Sequence, residues 1–416
     1  MSWSIEKAEA LYAVESWADG FFFVNAAGHA AVKPFPERDL AIDIPEVLAE
    51  ATRRGVSGPI LLRFQDVLCA RVRRLNQAFE RAIADAGYAN AYRCVYPIKV
   101  NQLHEVVEEV LEAGKAWQLG LECGSKAELV AALPLVGEDR LLLCNGVKDQ
   151  SMLSLMLSAQ RLGQQVLPVL ERYAEFESLA ALAESSGRTP RLAARVRLST
   201  RGAGRWFESA GNRSKFGLTL PDLARLADEL ERRGWTRQLE LVHFHLGSQI
   251  ADIQVLKSAA KEIAQLYAEL WRRGIAVRYL DVGGGLGVHY GAGYGGEEAS
   301  AINYDLQEYA NAVVFTVKEV CEARNVPAPC LVSESGRAIT AHHSMLAVPV
   351  LASRGFDSLD HEFSVEGHEL LKRLKGVLDQ AREVKDDADR LLEAYHDAQE
   401  AKEEAQLLLR LGYLGL

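Results

Sequence analysis

The sequence predicts an α/β protein organised as a TIM (β/α)8 barrel, and three observations support this fold class. From Tyr92 onward, apolar segments alternate with helical segments of roughly ten to twenty residues. The segments 141–143 and 166–170 are apolar throughout, as strands buried on both faces of a parallel sheet are. Eight such segments occupy about 250 residues, the length of eight β-α units. The predicted strand ends are polar: Lys99, Glu122, Asn145, Glu171, Arg197, His245, Asp281 and Glu334.

The main alternative is a doubly wound α/β sheet, which also alternates strands with helices. Both folds place a functional site at the carboxyl ends of their strands, so the polar strand ends do not separate them. The count of eight strands favours the barrel.

Shorter elements are predicted before the barrel. Residues 20–34 have the pattern of a hairpin, with a turn at 26–28. A helix is predicted over about 45–55 and a strand over 59–64. A long amphipathic helix is predicted over 66–86 and ends at Gly87.

The character of the chain changes after Pro349. Residues 365–410 are rich in Glu, Lys, Ala and Leu, with apolar positions at helical spacing. Charged runs such as 383–390 indicate solvated helix faces. The sequence therefore predicts a helical region at this end of the chain.

The composition indicates a globular protein large enough for two domains. Of its 416 residues, 49% are hydrophobic and 25% are charged, so a large core can form. The 47 basic and 57 acidic residues give a net charge of −10. This balance argues against a nucleic-acid-binding surface and suits a cationic substrate.

Three features predict a cytoplasmic location. The six cysteines form no C-x-x-C pair, which argues against a zinc or thioredoxin-type motif and favours reduced thiols. The N-terminus lacks the basic and apolar regions of a signal peptide. No run approaches the ~20 apolar residues that span a bilayer.

Lys99 is the most informative single residue, because it stands between an apolar strand and a predicted helix. A lysine held there can form a Schiff base with a carbonyl cofactor. The free side chain has a pKa of ~10.4, and we expect partial desolvation and nearby cations to lower it. The alternative interpretation is an ordinary surface cation.

His245 and Ser248 belong to the segment 243–248. Strand alternation predicts His245 on the same face as His243. A histidine can stack its flat ring on a pyridine ring, and Ser248 can donate to a phosphate or ring oxygen. The alternative is a satisfied core histidine. Because no H-E-x-x-H pattern occurs, a catalytic metal is not expected here.

Three adjacent glycines, Gly283, Gly284 and Gly285, follow the strand that ends at Asp281. Without a Cβ, their N–H groups can approach a phosphate closely, although a tight turn would require the same residues. The segment 291–296 matches G-x-G-x-x-G in its letters only, since it neither follows a strand nor opens a helix.

Glu334 ends the last predicted strand, and Arg337 follows three residues later. A buried carboxylate can keep a pyridine nitrogen protonated, and an arginine can hold a phosphate. A structural ion pair is the alternative. Arg197 and the segment 214–217 add further cations.

The order of these features resembles the fold-type III pyridoxal-phosphate decarboxylases, whose barrels are of the alanine-racemase-like type. Within that family the chain is similar to the biosynthetic arginine decarboxylases, including the helical bundle that those enzymes insert after the barrel. The blocks 243–250 and 333–343 are the most specific. The resemblance also covers 20–25, 96–102, 121–126, 144–146, 195–199, 214–217 and 280–290.

The resemblance implies roles for individual residues. Lys99, His245 and Glu334 are the implied catalytic residues. The implied cofactor-binding residues are Lys99, Glu122, Arg197, His245, Ser248, Gly283, Gly284, Gly285, Gly287, Glu334, Gly336 and Arg337. The implied substrate-binding residues are Leu280, Asp281, Val282, Gly283, Gly284, Gly285, Leu286, Gly287, Val288, His289 and Tyr290.

The implied activity is the decarboxylation of L-arginine to agmatine and CO₂ in the synthesis of polyamines such as putrescine and spermidine. The resemblance also implies Mg²⁺ dependence, although no ligand set for the ion is visible in the sequence. Active sites that are shared between subunits in the family imply a homodimer or a higher homo-oligomer.

The resemblance divides the chain into three parts: 1–64 as the N-terminal strands of a β-domain, 65–350 as the cofactor-binding barrel with its lead-in helix, and 351–416 as the start of the helical insertion. No block like the family's C-terminal β-domain follows, so we expect that domain to be absent. We therefore expect residues 1–416 to bind cofactor and to turn over arginine poorly.

Other functions remain open at this point. One is a decarboxylase of the same barrel type that acts on diaminopimelate, ornithine or carboxynorspermidine, because residues that read the far end of the substrate are not identified. A racemase would need a second catalytic base, which is not evident. A non-catalytic cofactor-binding or interaction protein and a plain phosphosugar-type barrel are the remaining alternatives.

Overall fold

The computed structural model describes residues 3–200, 216–290, 302–353, 368–384 and 387–414. It contains two compact units, one formed by Ile5–Val348 and the other by Met1–Ser4 with Pro349–Leu416. Ser214 and Lys215, predicted as part of a cationic segment, and the segment 291–296 lie outside the described residues.

The N-terminal part of the larger unit combines short strands with helices. Its elements are α1 (Ile5–Leu11), α2 (Val14–Ala18), β1 (Phe22–Val24), β2 (Ala30–Val32), β3 (Ile42–Asp43), α3 (Ile44–Arg53), β4 (Ile60–Arg63) and α4 (Gln65–Ala86). The predicted hairpin, helix, strand and long helix are confirmed as β1–β2, α3, β4 and α4.

The hairpin turn is fixed by Asn25, whose side-chain oxygen accepts hydrogen bonds from the backbone N–H groups of Ala27 and His29. An asparagine in this position mimics a backbone turn and leaves the two strands antiparallel. β3 pairs with β2 and extends the hairpin to a three-stranded sheet.

Helix α4 connects this part to the barrel. Its buried side chains recur at the spacing of one helical face and include Leu68, Val72, Leu75, Phe79 and Ala82. Phe79 stacks on Tyr92, with ring centroids 3.6 Å apart and an angle of 2° between the planes. Gly87 ends the helix with a φ of +59°, a left-handed conformation that glycine adopts without strain.

Eight parallel strands close into the predicted barrel. They are β5 (Tyr92–Pro97), β6 (Gly120–Cys123), β7 (Leu141–Cys144), β8 (Gln165–Leu170), β9 (Leu192–Arg195), β10 (Leu239–His243), β11 (Tyr279–Asp281) and β12 (Cys330–Glu334). Each predicted strand end lies within two residues of an observed one. Because β12 pairs with β5, the sheet is a closed barrel and the doubly wound alternative is wrong.

Alternation along the strands produces two apolar layers. Residues that face the barrel axis, such as Leu143, Leu167 and Leu241, form a separate buried cluster inside it. Their neighbours, such as Leu142 and Val166, point outward and pack against the helices. Both faces are therefore buried, which explains why the strand sequences are apolar throughout.

Helices follow the strands around the outside of the barrel. They are α5 (His104–Ala113), α6 (Lys126–Ala132), α7 (Gln150–Arg161), α8 (Tyr173–Ser185), α9 (Leu220–Arg232), α10 (Ile253–Arg272), α11 (Leu306–Arg324) and the single turn α12 (Arg337–Thr340). Several begin at a capping side chain. Thr219 and Asp305 each form a reciprocal capping box with the third residue of the helix that follows.

After the barrel, β13 (Ser344–Ala347) returns to pair antiparallel with β4. The partner strand β4 lies far upstream in the sequence, and the barrel strands lie between β4 and β13. This two-stranded sheet can therefore form only when the barrel is folded.

In the described residues of the second unit there are two helices, α13 (Glu369–Glu383) and α14 (Ala388–Arg410), which confirm the predicted helical region. Arg373 of α13 forms ion pairs with Glu400 and Glu404 of α14 at 2.8 and 3.2 Å. None of the helices in the described ranges combines the length and the hydropathy of a membrane span.

Candidate active site

A cavity of about 450 Å³ lies at the carboxyl ends of the barrel strands. It brings together residues that are distant in the sequence, from the first, sixth, seventh and eighth strands of the barrel. The lining residues are Pro97, Lys99, Val100, His245, Ser248, Gly284, Gly285, Leu286, Tyr290, Glu334, Gly336, Arg337, Thr340 and Ala341.

Lys99 sits in a turn of 3₁₀ helix, Ile98–Val100, directly after β5. Its Nζ donates to Glu122 Oε2 at 2.9 Å, and while the lysine side chain is 52% exposed, the glutamate side chain is fully buried. Burial disfavours the charged amine, but the carboxylates of Glu122 and Glu334 outweigh it and raise the pKa of Lys99. The predicted lowering of this pKa is therefore wrong, since the nearest charges are carboxylates rather than cations.

Glu334 is buried at the end of β12 and faces the cavity. Burial raises its pKa to about 7, and the carboxylates of Asp281 and Glu122 act in the same direction. Its Oε1 accepts a hydrogen bond from Asn145 Nδ2 at 2.7 Å. The same amide nitrogen donates to Glu122 Oε1 at 3.0 Å, so Asn145 links the two carboxylates.

His243 and Asp281 form a fully buried pair, and His243 Nδ1 lies 3.9 Å from Glu334 Oε1. His243 Nδ1 lies 2.9 Å from Asp281 Oδ2, and Asp281 Oδ1 accepts from the N–H of Gly283 at 2.8 Å. Burial lowers the pKa of His243 to about 4 and raises the pKa of Asp281 to about 7. The histidine is therefore neutral at pH 7 and shares one proton with Asp281 across this contact.

The side chains of His243, Asp281 and Glu334 offer ligand atoms within 4.8 Å of one another. Mg²⁺ prefers six oxygen ligands and keeps several waters, which a fully buried cluster with one histidine nitrogen does not provide. The cluster fits a hydrogen-bonded network better than a magnesium site, and the magnesium requirement stays a prediction.

His245 lies just beyond β10, with its ring centroid 6.4 Å from that of His243. Its Nδ1 accepts a hydrogen bond from the N–H of Gly247 at 2.8 Å. Burial, with the nearby Arg195, holds the pKa of His245 well below its usual value. The ring is therefore neutral, with its proton on Nε2, and forms a flat wall of the cavity.

Arg337 is held by two hydroxyl groups. Its Nη2 donates to Ser248 Oγ at 2.9 Å, and its Nη1 donates to Tyr290 Oη at 2.6 Å. A guanidinium beside a serine hydroxyl and glycine backbone is a suitable site for a phosphate.

The glycine loop is required by close packing as well as by its conformation. Gly283 and Gly285 have φ values of +68° and +101°. A Cβ on Gly283 would collide with the carbonyl oxygen of Phe244, and one on Gly285 would lie 2.6 Å from the carbonyl oxygen of Gly247. Gly284 lines the cavity, where a Cβ would lie 3.1 Å from His245 Nε2. A Cβ on Gly284 would also lie 2.9 Å from the carbonyl oxygen of Glu334, so close packing requires glycine at all three positions. The approach of a phosphate to this loop stays a prediction.

The remaining predicted site residues lie at different depths. Gly336 lines the cavity, and a Cβ there would lie 2.5 Å from Val100 Cγ2. Glu122 lies behind Lys99, outside the cavity lining. Arg197 donates to the carbonyl oxygen of Gly217 at 3.3 Å and is also outside the lining.

Only part of the predicted substrate segment borders the cavity, namely Gly284, Gly285, Leu286 and Tyr290. Leu280 and Val282 are buried in the layer between strands and helices. A neighbouring cavity of about 380 Å³ is lined on one side by Leu286, Gly287, Val288 and His289.

Sequence reasoning placed Asn145 at a strand end but gave it no role in the site. Its position one residue after the all-apolar strand β7 was the available signal, because a polar residue there points into the same end of the barrel as Lys99 and Glu334. The His243–Asp281 pair was not predicted either: Asp281 was expected at a strand end, and His243 was named only as sharing a strand face with His245.

These groups suit pyridoxal phosphate. A lysine, a neutral flat histidine, a buried carboxylate and an arginine–serine pair surround one cavity, matching the aldehyde, ring face, ring nitrogen and phosphate of that cofactor.

Comparison with known proteins agrees with this chemistry. The family description "Pyridoxal-dependent decarboxylase, pyridoxal binding domain" matches residues 69–341, and "Arginine decarboxylase helical bundle domain" matches residues 364–416.

Similar proteins include biosynthetic arginine decarboxylases. The one from Prochlorococcus marinus (strain MIT 9313) is 43% identical over 420 residues, covering 100% of this chain and 65% of that protein. The one from Bacteroides thetaiotaomicron is 39% identical over 418 residues, with coverage of 100% and 65%. The chain thus spans less than two thirds of the length of these relatives.

The fold is also found in solved structures. The crystal structure of the biosynthetic arginine decarboxylase from Campylobacter jejuni has a TM-score of 0.75 and 29% identity, covering 97% of this chain and 66% of that one. A diaminopimelate decarboxylase from Helicobacter pylori has a TM-score of 0.56 at 21% identity and shares the fold. From the match over residues 69–341 and the site at its centre, we conclude that the chain belongs to the family of pyridoxal-dependent decarboxylases.

Proposed function

We propose that this chain provides the cofactor-binding barrel of an arginine decarboxylase, which converts L-arginine to agmatine and CO₂ in polyamine biosynthesis. The observation that carries the proposal is the cavity in which Lys99, His245, Glu334 and Arg337 converge. The match of residues 364–416 to the arginine decarboxylase helical bundle supports arginine over other amino acids.

Pyridoxal phosphate, when bound, supplies an electron sink for the electron pair that remains after CO₂ leaves. Lys99 would hold the cofactor covalently, and its neighbour Glu122 fixes the position of the amine. Glu334 would hold a proton at the ring nitrogen, because a buried carboxylate binds a cationic N–H strongly. These two residues approach the cavity from adjacent strands, β5 and β12.

His245 would support one face of the ring. Its neutral state follows from burial, and a neutral imidazole places no cation against the ring. Stacking of this kind contributes about 0.5–1.5 kcal/mol beyond the burial of area.

Arg337, Ser248 and the backbone of Gly284 and Gly285 would bind the phosphate. Tyr290 holds Arg337 from the other side, so the guanidinium is already oriented toward the cavity. Arg197 and Gly287 keep their proposed cofactor-binding role only through the family resemblance.

Leu286 and Tyr290 are the proposed substrate contacts at the cavity wall. A cationic substrate such as arginine would also be attracted by the acidic net charge of −10. Only the shared fold supports the alternative, a decarboxylase that acts on diaminopimelate, ornithine or carboxynorspermidine.

We also propose that the protein acts in the cytoplasm as a homodimer or higher homo-oligomer, and that it is divided at about residues 64 and 350. Six free cysteines support the reducing location. The separation of Pro349–Leu416 as a compact unit supports the second boundary.

Two measurements test the proposal. The purified chain with added pyridoxal phosphate should absorb visible light, whereas Lys99→Ala should not show this covalently bound signal. Single-turnover release of CO₂ from equal concentrations of arginine, ornithine, diaminopimelate and carboxynorspermidine should be fastest with arginine. A colourless wild-type protein would remove the cofactor assignment, and faster release from another amino acid would remove the substrate assignment.

A further inference from the structure

Two buried carboxylates of the site are joined by one side chain. Asn145 Nδ2 donates to Glu334 Oε1 at 2.7 Å and to Glu122 Oε1 at 3.0 Å. Glu122 in turn accepts from Lys99 Nζ through its other oxygen, at 2.9 Å. A continuous path of hydrogen bonds therefore runs from Lys99 to Glu334 through Glu122 and Asn145.

The orientation of the Asn145 amide follows from its partners. An amide nitrogen carries two hydrogens and can serve two acceptors at once, whereas the amide oxygen can only accept. If the amide were reversed, its oxygen would face two carboxylate oxygens and both hydrogen bonds would be lost. In the observed orientation Oδ1 is buried without a hydrogen-bond partner. The two hydrogen bonds from Nδ2 therefore fix the orientation of the Asn145 side chain.

We propose that Asn145 is a positioning residue for the reaction, which keeps Glu334 ionised and aimed at the ring nitrogen of the cofactor while tying it to the Glu122–Lys99 pair. The proposal rests on the assignment of pyridoxal phosphate to this cavity. It adds a residue that does not line the cavity and that acts only through Glu334 and Glu122.

The electrostatic reason lies in the burial of all three side chains. Glu122 and Glu334 are 0% and 3% exposed, so neither carboxylate is well hydrated, and the charge of Glu122 disfavours a negative charge on Glu334. A donor shared between them stabilises both negative charges at once. Without it, the carboxylate of Glu334 becomes more basic and takes the proton that it should leave on the ring nitrogen.

The proposal predicts a spectroscopic change as well as a change in activity. The full chain is loaded with pyridoxal phosphate that carries ¹⁵N in the ring, and the ¹⁵N resonance is followed by NMR as a function of pH. In the wild type we expect the shift of a protonated ring nitrogen at pH 7. In Asn145→Ala and in Asn145→Asp, which keeps the shape but replaces the donor by an acceptor, we expect a shift toward the unprotonated value at the same pH. The dissociation constant for pyridoxal phosphate should rise about tenfold in both variants.

Asn76 provides a matched control within the chain. It is also a fully buried asparagine with an unpartnered Oδ1, but it lies on α4 and donates to the carbonyl oxygen of Val72. Asn76→Ala should lower stability and leave the ring ¹⁵N resonance unchanged. Glu334→Gln is the benchmark for loss of the ring-nitrogen partner.

The outcomes separate this inference from the proposed function. If Glu334→Gln shifts the resonance and the two Asn145 variants do not, Asn145 has no positioning role. If Glu334→Gln itself leaves the resonance unchanged, the assigned role of Glu334 fails. If neither Asn145 variant folds while Asn76→Ala does, Asn145 serves the barrel itself and the inference is overturned.

Discussion

Lys99 has a raised pKa because carboxylates surround it, and this sets the pH at which its amine becomes reactive. The uncharged amine is the nucleophile, so a higher pKa reduces the reactive fraction at pH 7. The charge that holds Lys99 in place therefore slows its reaction with free cofactor.

Glu122→Gln tests this relation. Removing one of the carboxylates that raise the pKa of Lys99 lowers that pKa, so a larger fraction of the amine is uncharged at pH 7. We expect faster covalent capture of pyridoxal phosphate by the variant near neutral pH, measured by stopped-flow absorbance, with the two rates converging at high pH. A slower capture at every pH would show that Glu122 orients the amine more than it charges it.

The raised pKa of Glu334 predicts that the stability of the cofactor-free protein depends on pH. Its pKa is raised to about 7 in the fold against ~4.3 in an unfolded chain. The folded state therefore binds the proton more tightly, and the contribution of this residue to stability falls as the pH rises from about 4 to 7.

Glu334→Gln carries no such proton. We expect the free energy of unfolding of the wild type, relative to this variant, to fall by on the order of 1 kcal/mol or more between pH 5 and pH 8. Urea unfolding at the two pH values measures it. An equal difference between the proteins at both pH values would contradict the raised pKa.

At the level of elements, the loop that follows β11 leaves no room for a side chain at Gly283. A Cβ on Gly283 would meet the carbonyl oxygen of Phe244, and the residue has a φ of +68°. Gly28 in the N-terminal hairpin has a similar φ of +77° with nothing within 4 Å of a Cβ.

We expect Gly28→Ala to cost only the left-handed conformation, about 1–2 kcal/mol of the free energy of unfolding. Gly283→Ala should cost more and should also weaken cofactor binding, because the loop that continues into the cavity lining must move away from the carbonyl oxygen of Phe244. Chemical denaturation and a cofactor titration compare the two variants. Equal losses would show that conformation alone requires a glycine at Gly283.

Helix α11 offers a test of local structure away from the cofactor. Asp305 accepts from the N–H of Glu308, and Glu308 accepts from the N–H of Asp305. Asp305→Ala should lower the free energy of unfolding by about 1 kcal/mol. Visible absorbance of the cofactor-loaded protein should be unaffected, and a loss of absorbance would mean that the start of α11 supports the cavity.

The barrel strands were predictable because burial on both faces leaves only apolar residues until the chain leaves the barrel, as in β7 and β8. The short helices α1 and α2 and the strand β13 were not predicted. α1 and α2 are 7 and 5 residues long, too short for a periodicity to show. β13 depends on a partner, β4, that lies on the other side of the barrel in the sequence.

The residues of the candidate site could be predicted from the sequence, but the pKa shifts of their side chains could not. Lys99, His245, Glu334 and Arg337 do meet in one cavity. The pKa of Lys99 was wrongly predicted because Glu122 becomes its neighbour only through the pairing of β5 with β6. The link through Asn145 was missed for the same reason, since it joins residues of three strands.

For the whole molecule, the separation into two compact units is the feature with consequences for stability. All of the cavity lining lies in the unit Ile5–Val348. We expect a chain that ends at Val348 to fold and to bind pyridoxal phosphate with the visible absorbance of the full chain. Thermal unfolding and cofactor titration of the two chains would measure this, and an unfolded product would show that the helical unit is needed by the barrel.

Pairing of β5 with β12 has one more consequence. Lys99 follows the first strand of the barrel and Glu334 ends the last, so under the roles proposed for them neither half of a growing chain would carry both groups that bind the cofactor. Pyridoxal phosphate would then bind only to barrels in which β12 has already paired with β5. Its capture would mark the end of assembly and would shift the folding equilibrium toward the finished ring.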